Sequence, residues 1–156
     1  MRFCENNNLG VKLYRDALDL AADAHQGQVD KCGEPYYLHP LRIAAHFQEL
    51  NDADAAIVAC LHDLVEDTSC SLEYLEDRYS ESIVDAVDAI TRREGEQYKQ
   101  YLKRCCENDA ARQVKKEDIQ DNLLDIRLYT WPEAPIKRYY DGLCIIKGYE
   151  IRHGIF

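Results

Sequence analysis

The chain contains 156 residues, of which 46% are hydrophobic and 31% are charged, and its formal net charge is −10. This length and apolar content exclude a disordered chain and suit one core, so we expect a single domain over residues 1–156. The acidic excess, without any basic stripe, argues against a nucleic-acid partner, and no apolar run approaches the roughly 20 residues of a membrane span, so we expect no membrane partner either.

The N-terminal third of the chain is predicted to contain two helices joined by a loop. Its first residues lack the apolar region of a signal peptide, which indicates a cytoplasmic protein. Apolar residues recur at helical spacing and predict a helix over residues 11–27. Residues 27–37 contain two glycines and a proline and indicate a loop. Pro40 suits the first turn of the second helix, which continues to about Leu50.

The third predicted helix begins after Asn51, includes residues 55–67, AAIVACLHDLVED, and has a nearly continuous apolar side. Such a helix belongs at the centre of a core. Asp52 or Asp54 supplies negative charge at its start. The remaining helices are predicted over about residues 71–79, 80–90, 96–107, 109–128 and 132–152, with Trp131-Pro132 as a junction. No segment shows the alternation of a β-strand, so the sequence predicts an all-α fold.

The HDLVED segment, His62 to Asp67, introduces four polar side chains into an apolar helix. Spacing of four residues places His62 with Glu66 on one helix face. The same spacing places Asp63 with Asp67 on a neighbouring face. Three carboxylates near an imidazole repel one another unless a cation neutralises them, and His and Asp are ligands of divalent metals. The segment therefore indicates a metal site; the alternative is that the helix simply emerges into solvent here.

Two other segments carry side chains of the same chemistry. Asp118 and Asn122 stand four residues apart on a helix whose buried side includes Ile119. Asp121, between them, is interpreted as a solvated residue. His39 lies at the start of the second helix, where a histidine is ordinarily a capping or surface residue. Taken alone, these segments leave the metal site undecided.

Four segments together resemble, in order and spacing, the hydrolase domain of RelA/SpoT-type alarmone enzymes and the small alarmone hydrolases. They are AHQGQVDKCGEPYYLHP over residues 24–40, LHDLVEDTSCSLEYL over 61–75, ITR over 90–92 and VKKEDIQDNL over 114–123. The resemblance covers about residues 11–128 and rests on two specific motifs, G-x-P-Y-x-x-H-P and H-D-x-x-E-D-T. It implies a single-domain HD-type helical bundle of the HD superfamily of metal-dependent phosphohydrolases.

The resemblance also implies a role for each site residue. Four positions match the family's ligands to a divalent metal, usually Mn²⁺: His39, His62, Asp63 and Asp118. Two match its catalytic acidic pair, Glu66 and Asp67, and two match substrate-binding residues, Lys31 and Asn122. The implied activity is that of a guanosine 3′,5′-bis(diphosphate) 3′-pyrophosphohydrolase-like enzyme, in which water activated by the metal attacks a phosphoester.

Departures from the family pattern bear on the substrate. Asp30 stands where the family places a basic residue, and residues 118–122 read D-I-Q-D-N instead of D-R-L-H-N. Two expected contacts to a guanosine polyphosphate are therefore missing. One alternative is an HD-type phosphatase acting on nucleoside monophosphates or other small phosphoesters. Another is a catalytically silent, nucleotide-binding metal domain, which the presence of all six metal and catalytic positions argues against.

The residues that follow the resemblance are predicted to form one helix, and with no synthetase domain we expect no alarmone synthesis. This helix carries Tyr139, Tyr140 and Tyr149 beside Arg138. These aromatic side chains are candidates for closing the pocket or for forming a homodimer, and simple packing is the favoured interpretation.

Overall fold

The computed structural model describes residues 3–126 and 133–155, and the side chains of residues 10–124 and 135–155. The described chain forms helices α1 Phe3–Ala24, α2 Leu38–Glu49, α3 Ala53–Leu61, α4 Leu64–Asp67, α5 Leu72–Glu76, α6 Glu81–Ile90, α7 Tyr98–Glu107, α8 Asp109–Ile126 and α9 Glu133–His153. The described part contains no β-strand, although an isolated bridge joins Val29 to Pro35 in the first loop. The predicted all-α fold is therefore confirmed. The Trp131-Pro132 junction and the predicted end of the 109–128 helix lie outside the described residues.

Helix α3 is the centre of the fold. Its residues 55–61 are all buried, as expected for a helix that is apolar on every side. It packs against α1, α2, α6 and α8. The Asp52 carboxylate caps its start by accepting the Ala55 N–H at 3.0 Å. The prediction that this helix is central is confirmed, and it contacts both α2, which carries His39, and α8, which carries Asp118.

The central helix does not run through the HDLVED segment. Helices α3 and α4 are separate, so the prediction of one continuous helix over residues 55–67 is wrong. The buried His62 ring donates from Nδ1 to the Ala59 carbonyl at 2.8 Å, and in a continuous helix that carbonyl would accept the N–H of Asp63. Asp63 adopts φ −99° and ψ −4°. The break leaves His62 and Asp63 in a turn between two helices.

Helix α1 begins at Phe3, well before the predicted start at residue 11. Ala17 and Ala21 lie on its buried face, whereas Val11, the first residue of the predicted helix, is 49% exposed. In the turn that follows α1, Gly27 has φ +79°, a conformation that favours glycine. Among the described residues, neither α1 nor any other helix is long and apolar enough to span a membrane.

Helix α9 covers one side of the bundle by packing against α7 and α8. Its Tyr139 and Ile146 are buried with Cys106 and Ile119 in a second apolar cluster beside the main core. The Tyr139 hydroxyl donates to the Asn122 side-chain oxygen at 3.3 Å. Packing of α9 therefore places aromatic side chains next to the part of α8 that carries Asn122.

Candidate metal centre and pocket

Three parts of the fold bring the four predicted metal ligands into one largely buried cluster. His39 lies on α2, His62 and Asp63 occupy the turn between α3 and α4, and Asp118 lies on α8. His39 Nε2 is 3.0 Å from Asp118 Oδ1, and His62 Nε2 is 3.0 Å from Asp63 Oδ2. The cross distances, from His62 Nε2 to Asp118 Oδ1 and from His39 Nε2 to Asp63 Oδ2, are both 3.9 Å. Potential ligand atoms of the two histidines and Asp118 lie within 4.8 Å of one another.

The His62 ring directs its Nε2 atom into this cluster. Because Nδ1 donates to the Ala59 carbonyl, the neutral ring carries its hydrogen on Nδ1 and its lone pair on Nε2. Nε2 is buried without a hydrogen-bond partner, although buried polar atoms are nearly always paired. Its close neighbours include carboxylate oxygens of Asp63 and Asp118, which are acceptors as well. A cation between these atoms would supply the missing partner, so the residues present fit a divalent metal.

The charges of the cluster favour a bound cation. Burial alone would raise the pKa of Asp118, but Lys115 and His39 hold it well below its usual value. The pKa of Asp63 is also lowered, because the His62 ring outweighs the effect of burial. Burial would lower the pKa of His39, but hydrogen bonds to two carboxylates raise it to about 10. Both acidic ligands are therefore ionised. A metal that binds here would displace the proton from each ring nitrogen that ligates it.

Lys115 of α8 is a part of the cluster that the sequence analysis missed. Its Nζ is 2.6 Å from Asp118 Oδ2, and its side chain is 15% exposed. Asp118 thus directs one oxygen to His39 and the other to Lys115. The spacing of three residues between Lys115 and Asp118 was the available signal, since it places both on one helix face.

Asp121 is a nearly buried partner of His39, so its interpretation as a solvated residue is wrong. His39 Nδ1 is 2.7 Å from Asp121 Oδ2. Arg42 contacts both oxygens of the same carboxylate, through Nε at 2.9 Å and Nη2 at 2.7 Å. The three-residue spacing from Asp118 to Asp121 indicated a shared face, whereas the sequence carried no signal for Arg42, whose contact depends on the packing of α2 against α8.

Tyr36 is a further contact that the sequence analysis missed, although it belongs to the G-x-P-Y motif. Its hydroxyl donates to Asp63 Oδ2 at 2.6 Å and lies 3.5 Å from Asp67 Oδ2. Burial, together with the neighbouring Asp63 charge, raises the pKa of Tyr36, so the phenol stays protonated. Tyr36 therefore acts as a donor that holds the Asp63 carboxylate.

The predicted acidic pair, Glu66 and Asp67, lies on α4 at the exposed edge of the cluster. Glu66 Oε2 accepts the backbone N–H of Arg92 at 3.1 Å. Burial and the charges of Asp63 and Glu66 raise the pKa of Asp67. The structure thus places both carboxylates beside the four predicted ligands, facing the same cavity.

This cavity has a volume of about 470 Å³ and includes both predicted substrate-binding residues, Lys31 and Asn122. Asn122 Nδ2 donates to Asp118 Oδ1 at 2.7 Å, so Asn122 also touches the ligand cluster. Further cationic and aromatic side chains line the cavity: Arg92, Arg138, Tyr98 and Tyr139. The lining of the pocket thus combines four cationic side chains with five carboxylates. With a divalent ion bound at the ligand cluster, it suits an anionic ligand with an aromatic part.

Asp30 also lines the cavity, but its carboxylate is used within its own loop. Oδ1 accepts the backbone N–H of Cys32 at 2.8 Å and that of Glu34 at 2.9 Å. Asp and Asn commonly form such turns, whereas a basic side chain has no acceptor for them. The departure from the family pattern at Asp30 therefore has a structural role in the loop that carries Lys31.

Residues 17–124 match the HD domain family. A guanosine-3′,5′-bis(diphosphate) 3′-pyrophosphohydrolase from Haemophilus influenzae is 38% identical over 74 residues, which cover 47% of this chain and 11% of that protein. A protein of the same name from Aquifex aeolicus is 31% identical over 116 residues, which cover 69% of this chain and 17% of that protein. The chain thus spans less than a fifth of the length of these two relatives.

A solved structure of a metazoan ortholog of SpoT, described as hydrolysing ppGpp, has the same fold. It superposes with a TM-score of 0.68 at 22% sequence identity, and the match covers 92% of this chain and 97% of that chain. The resemblance to RelA/SpoT-type hydrolase domains that the sequence predicts is therefore confirmed.

Proposed function

We propose, from the finding that the chain belongs to the HD domain family, that it is a metal-dependent phosphohydrolase for a guanosine 3′,5′-bis(diphosphate)-like nucleotide. One observation supports this above all: a largely buried group of two histidines and two aspartates adjoins a cavity whose lining includes cationic side chains. Such a site combines a metal centre with a place for phosphates. The Haemophilus and Aquifex relatives are named for this activity.

We propose that His39, His62, Asp63 and Asp118 hold the metal and that the metal is Mn²⁺. Two imidazole nitrogens and two carboxylates leave positions of a six-coordinate ion free. When bound, the ion supplies Lewis acidity for a phosphoryl oxygen and for water. The contacts from Lys115 to Asp118 and from Tyr36 to Asp63 keep the two carboxylates in place.

We propose that Glu66 or Asp67 accepts a proton from the attacking water. Both line the cavity beside the ligand cluster, where a carboxylate can act as a general base. The Arg92 backbone N–H holds the Glu66 carboxylate at 3.1 Å. This arrangement needs no covalent intermediate, because water attacks the phosphorus linked to the 3′ oxygen directly. The bond from that phosphorus to the 3′ oxygen breaks, the 3′ oxygen takes up a proton, and GDP and pyrophosphate are released.

The lining of the cavity supports a nucleotide with more than one phosphate group. Lys31, Arg92 and Arg138 can neutralise phosphate charge, and the rings of Tyr98 and Tyr139 offer apolar surface to a base. Since the Asp30 carboxylate is engaged in its loop, that position gives no support to the alternative of a smaller, less charged substrate. The geometry therefore favours the alarmone-like substrate over a nucleoside monophosphate.

The test is incubation of the Mn²⁺-loaded protein with guanosine 3′,5′-bis(diphosphate), GTP and GMP, followed by ion-exchange chromatography. We expect GDP and pyrophosphate from the bis(diphosphate) alone. Phosphate release from GMP, with the bis(diphosphate) left intact, would instead identify a nucleotide phosphatase. Binding of the bis(diphosphate) without any product would identify a silent nucleotide-binding domain. Glu66→Gln protein prepared in parallel controls for contaminating phosphatases.

We also propose a cytoplasmic protein that does not bind nucleic acid and forms a homodimer through α9. The net charge of −10 supports the statement about nucleic acid. Tyr140 and Ile151 of α9 are 59% and 62% exposed and offer apolar surface for a second copy. Light scattering after gel filtration would measure the mass, and a monomer at micromolar concentration would contradict the dimer.

A further inference from the structure

We infer that Asp121 and Arg42 form a positioning pair that fixes the orientation of His39 for metal binding. This inference rests on the proposed metal centre and adds two residues to it. Neither side chain is among those that line the cavity, so neither is proposed to touch substrate. Both would act through the His39 ring.

The contacts form a chain from the protein surface to the ligand cluster. Arg42 donates from Nε to Asp121 Oδ1 at 2.9 Å and from Nη2 to Asp121 Oδ2 at 2.7 Å. Asp121 Oδ2 is 2.7 Å from His39 Nδ1, and His39 Nε2 is 3.0 Å from Asp118 Oδ1. The side-chain exposure falls along this chain from 42% for Arg42 to 11% for Asp121 and 8% for His39.

The Asp121 carboxylate determines which nitrogen of the His39 ring carries a hydrogen. An ionised carboxylate only accepts hydrogen bonds, so the ring nitrogen facing it must carry hydrogen. Nε2 then has the lone pair once a metal is bound, and it points into the ligand cluster. Without Asp121, the buried Nδ1–H would lose its acceptor, and the ring would no longer be held in this orientation. Partners of this kind typically change metal affinity by about 10- to 100-fold.

Arg42 fixes the carboxylate in turn. Its planar guanidinium holds both oxygens, which leaves Asp121 one orientation. The positive charge of Arg42 also compensates the negative charge of Asp121, which would otherwise repel the carboxylates of Asp63 and Asp118. Because the Arg42 side chain is partly exposed, we expect a smaller contribution from it than from Asp121.

The inference is tested by titrating the metal-free chain with Mn²⁺ in a calorimeter. We expect Asp121→Ala to raise the Kd about 10- to 100-fold, and Asp121→Asn, which keeps an oxygen acceptor, to raise it less. Arg42→Gln should raise the Kd modestly in the wild-type background and not at all in the Asp121→Ala background, because Arg42 acts through Asp121. Glu117→Ala, about one turn earlier on α8, is the matched control and should keep the wild-type Kd.

A merely structural role is separated by two measurements on the metal-free variants. Their melting temperatures report whether the fold is intact. Nitrogen-15 NMR of the histidine rings reports the His39 Nδ1–H, which should be visible in the wild type and in Glu117→Ala and lost in Asp121→Ala. A weaker Kd that merely tracks a lower melting temperature, with this signal retained, would contradict positioning.

The outcomes separate this inference from the proposed function. Wild-type protein that binds no Mn²⁺ would overturn the metal centre, and the inference with it. Wild-type binding with an unchanged Kd in Asp121→Ala would overturn the inference alone. If Asp121→Ala does not fold, Asp121→Asn and Arg42→Gln carry the test, and unchanged affinity in both would overturn it equally.

Discussion

Single side chains around the pocket have separable tasks in the proposed mechanism. Asp63→Ala should remove both the metal and the activity, because it deletes a ligand from the buried cluster. Glu66→Gln should keep the metal and reduce kcat by about 100-fold or more, as expected on loss of a general base. Metal analysis of the purified variants beside their rates would check this. Equal metal loss in both variants would make Glu66 a ligand instead.

Substitutions of Asp30 distinguish two effects of its carboxylate on the KM for the nucleotide: hydrogen bonding within its loop and charge repulsion of the substrate. Asp30→Ala deletes the acceptor for two backbone N–H groups, each worth on the order of 1 kcal/mol, and should loosen the loop that carries Lys31. We therefore expect a KM for the nucleotide that is about tenfold higher, whereas Asp30→Asn, which can keep the acceptor, should stay near wild type. Steady-state kinetics decides the question. If repulsion of the substrate by the Asp30 charge were dominant, both variants would instead lower KM alike.

Helix α9 contains two glycines whose replacement by alanine should change the free energy of unfolding in opposite directions. A Cβ at Gly142 would lie 2.9 Å from the Tyr98 hydroxyl and 3.1 Å from Ile119 Cδ1, which belong to the two helices that α9 packs against. The gain in helix propensity, about 1 kcal/mol, is smaller than a typical overpacking cost of about 1–3 kcal/mol. Gly142→Ala should therefore lower the free energy of unfolding by roughly 1 kcal/mol.

Gly148 provides the matched control within the same helix. The closest atom to a Cβ there is Arg152 Nη1 at 3.4 Å, the end of a flexible side chain. Gly148→Ala should therefore raise the free energy of unfolding by up to about 1 kcal/mol. Urea denaturation of both variants measures the difference. Equal stabilisation by the two substitutions would show that α9 does not pack closely at Gly142.

The whole molecule should be stabilised by its metal, because the ion would join α2, the α3–α4 turn and α8. At about 100 times its Kd, a ligand of the native state alone adds about 2.7 kcal/mol. For a chain of this size this raises Tm by roughly 5–10 °C. Calorimetric melting with Mn²⁺ and with EDTA measures the shift. It should vanish in Asp118→Asn and persist in Glu117→Gln; a shift of the same size in Asp118→Asn would contradict the proposed ligand set.

Local patterns in the sequence determined the fold class and most of the candidate site residues of this protein. Helical periodicity and capping residues predicted the all-α fold, because they act over a few positions. The two motifs contain five of the eight predicted site residues, and the flanking segments of the resemblance supplied the other three, Lys31, Asp118 and Asn122. The structure gathers all eight in or beside one cavity. Motif spacing predicts site residues because it is set by the same helices that carry their side chains.

Only the tertiary structure decided what depends on contacts between distant segments. His39 and Asp121 are 82 positions apart, as shown by their hydrogen bond, and Tyr36 reaches Asp63 across 27 positions. The helix break at His62 has the same origin, since the ring donates to Ala59 while its other nitrogen faces Asp118. Periodicity shows which side of a helix is buried, but which polar partner meets it there depends on how the helices pack.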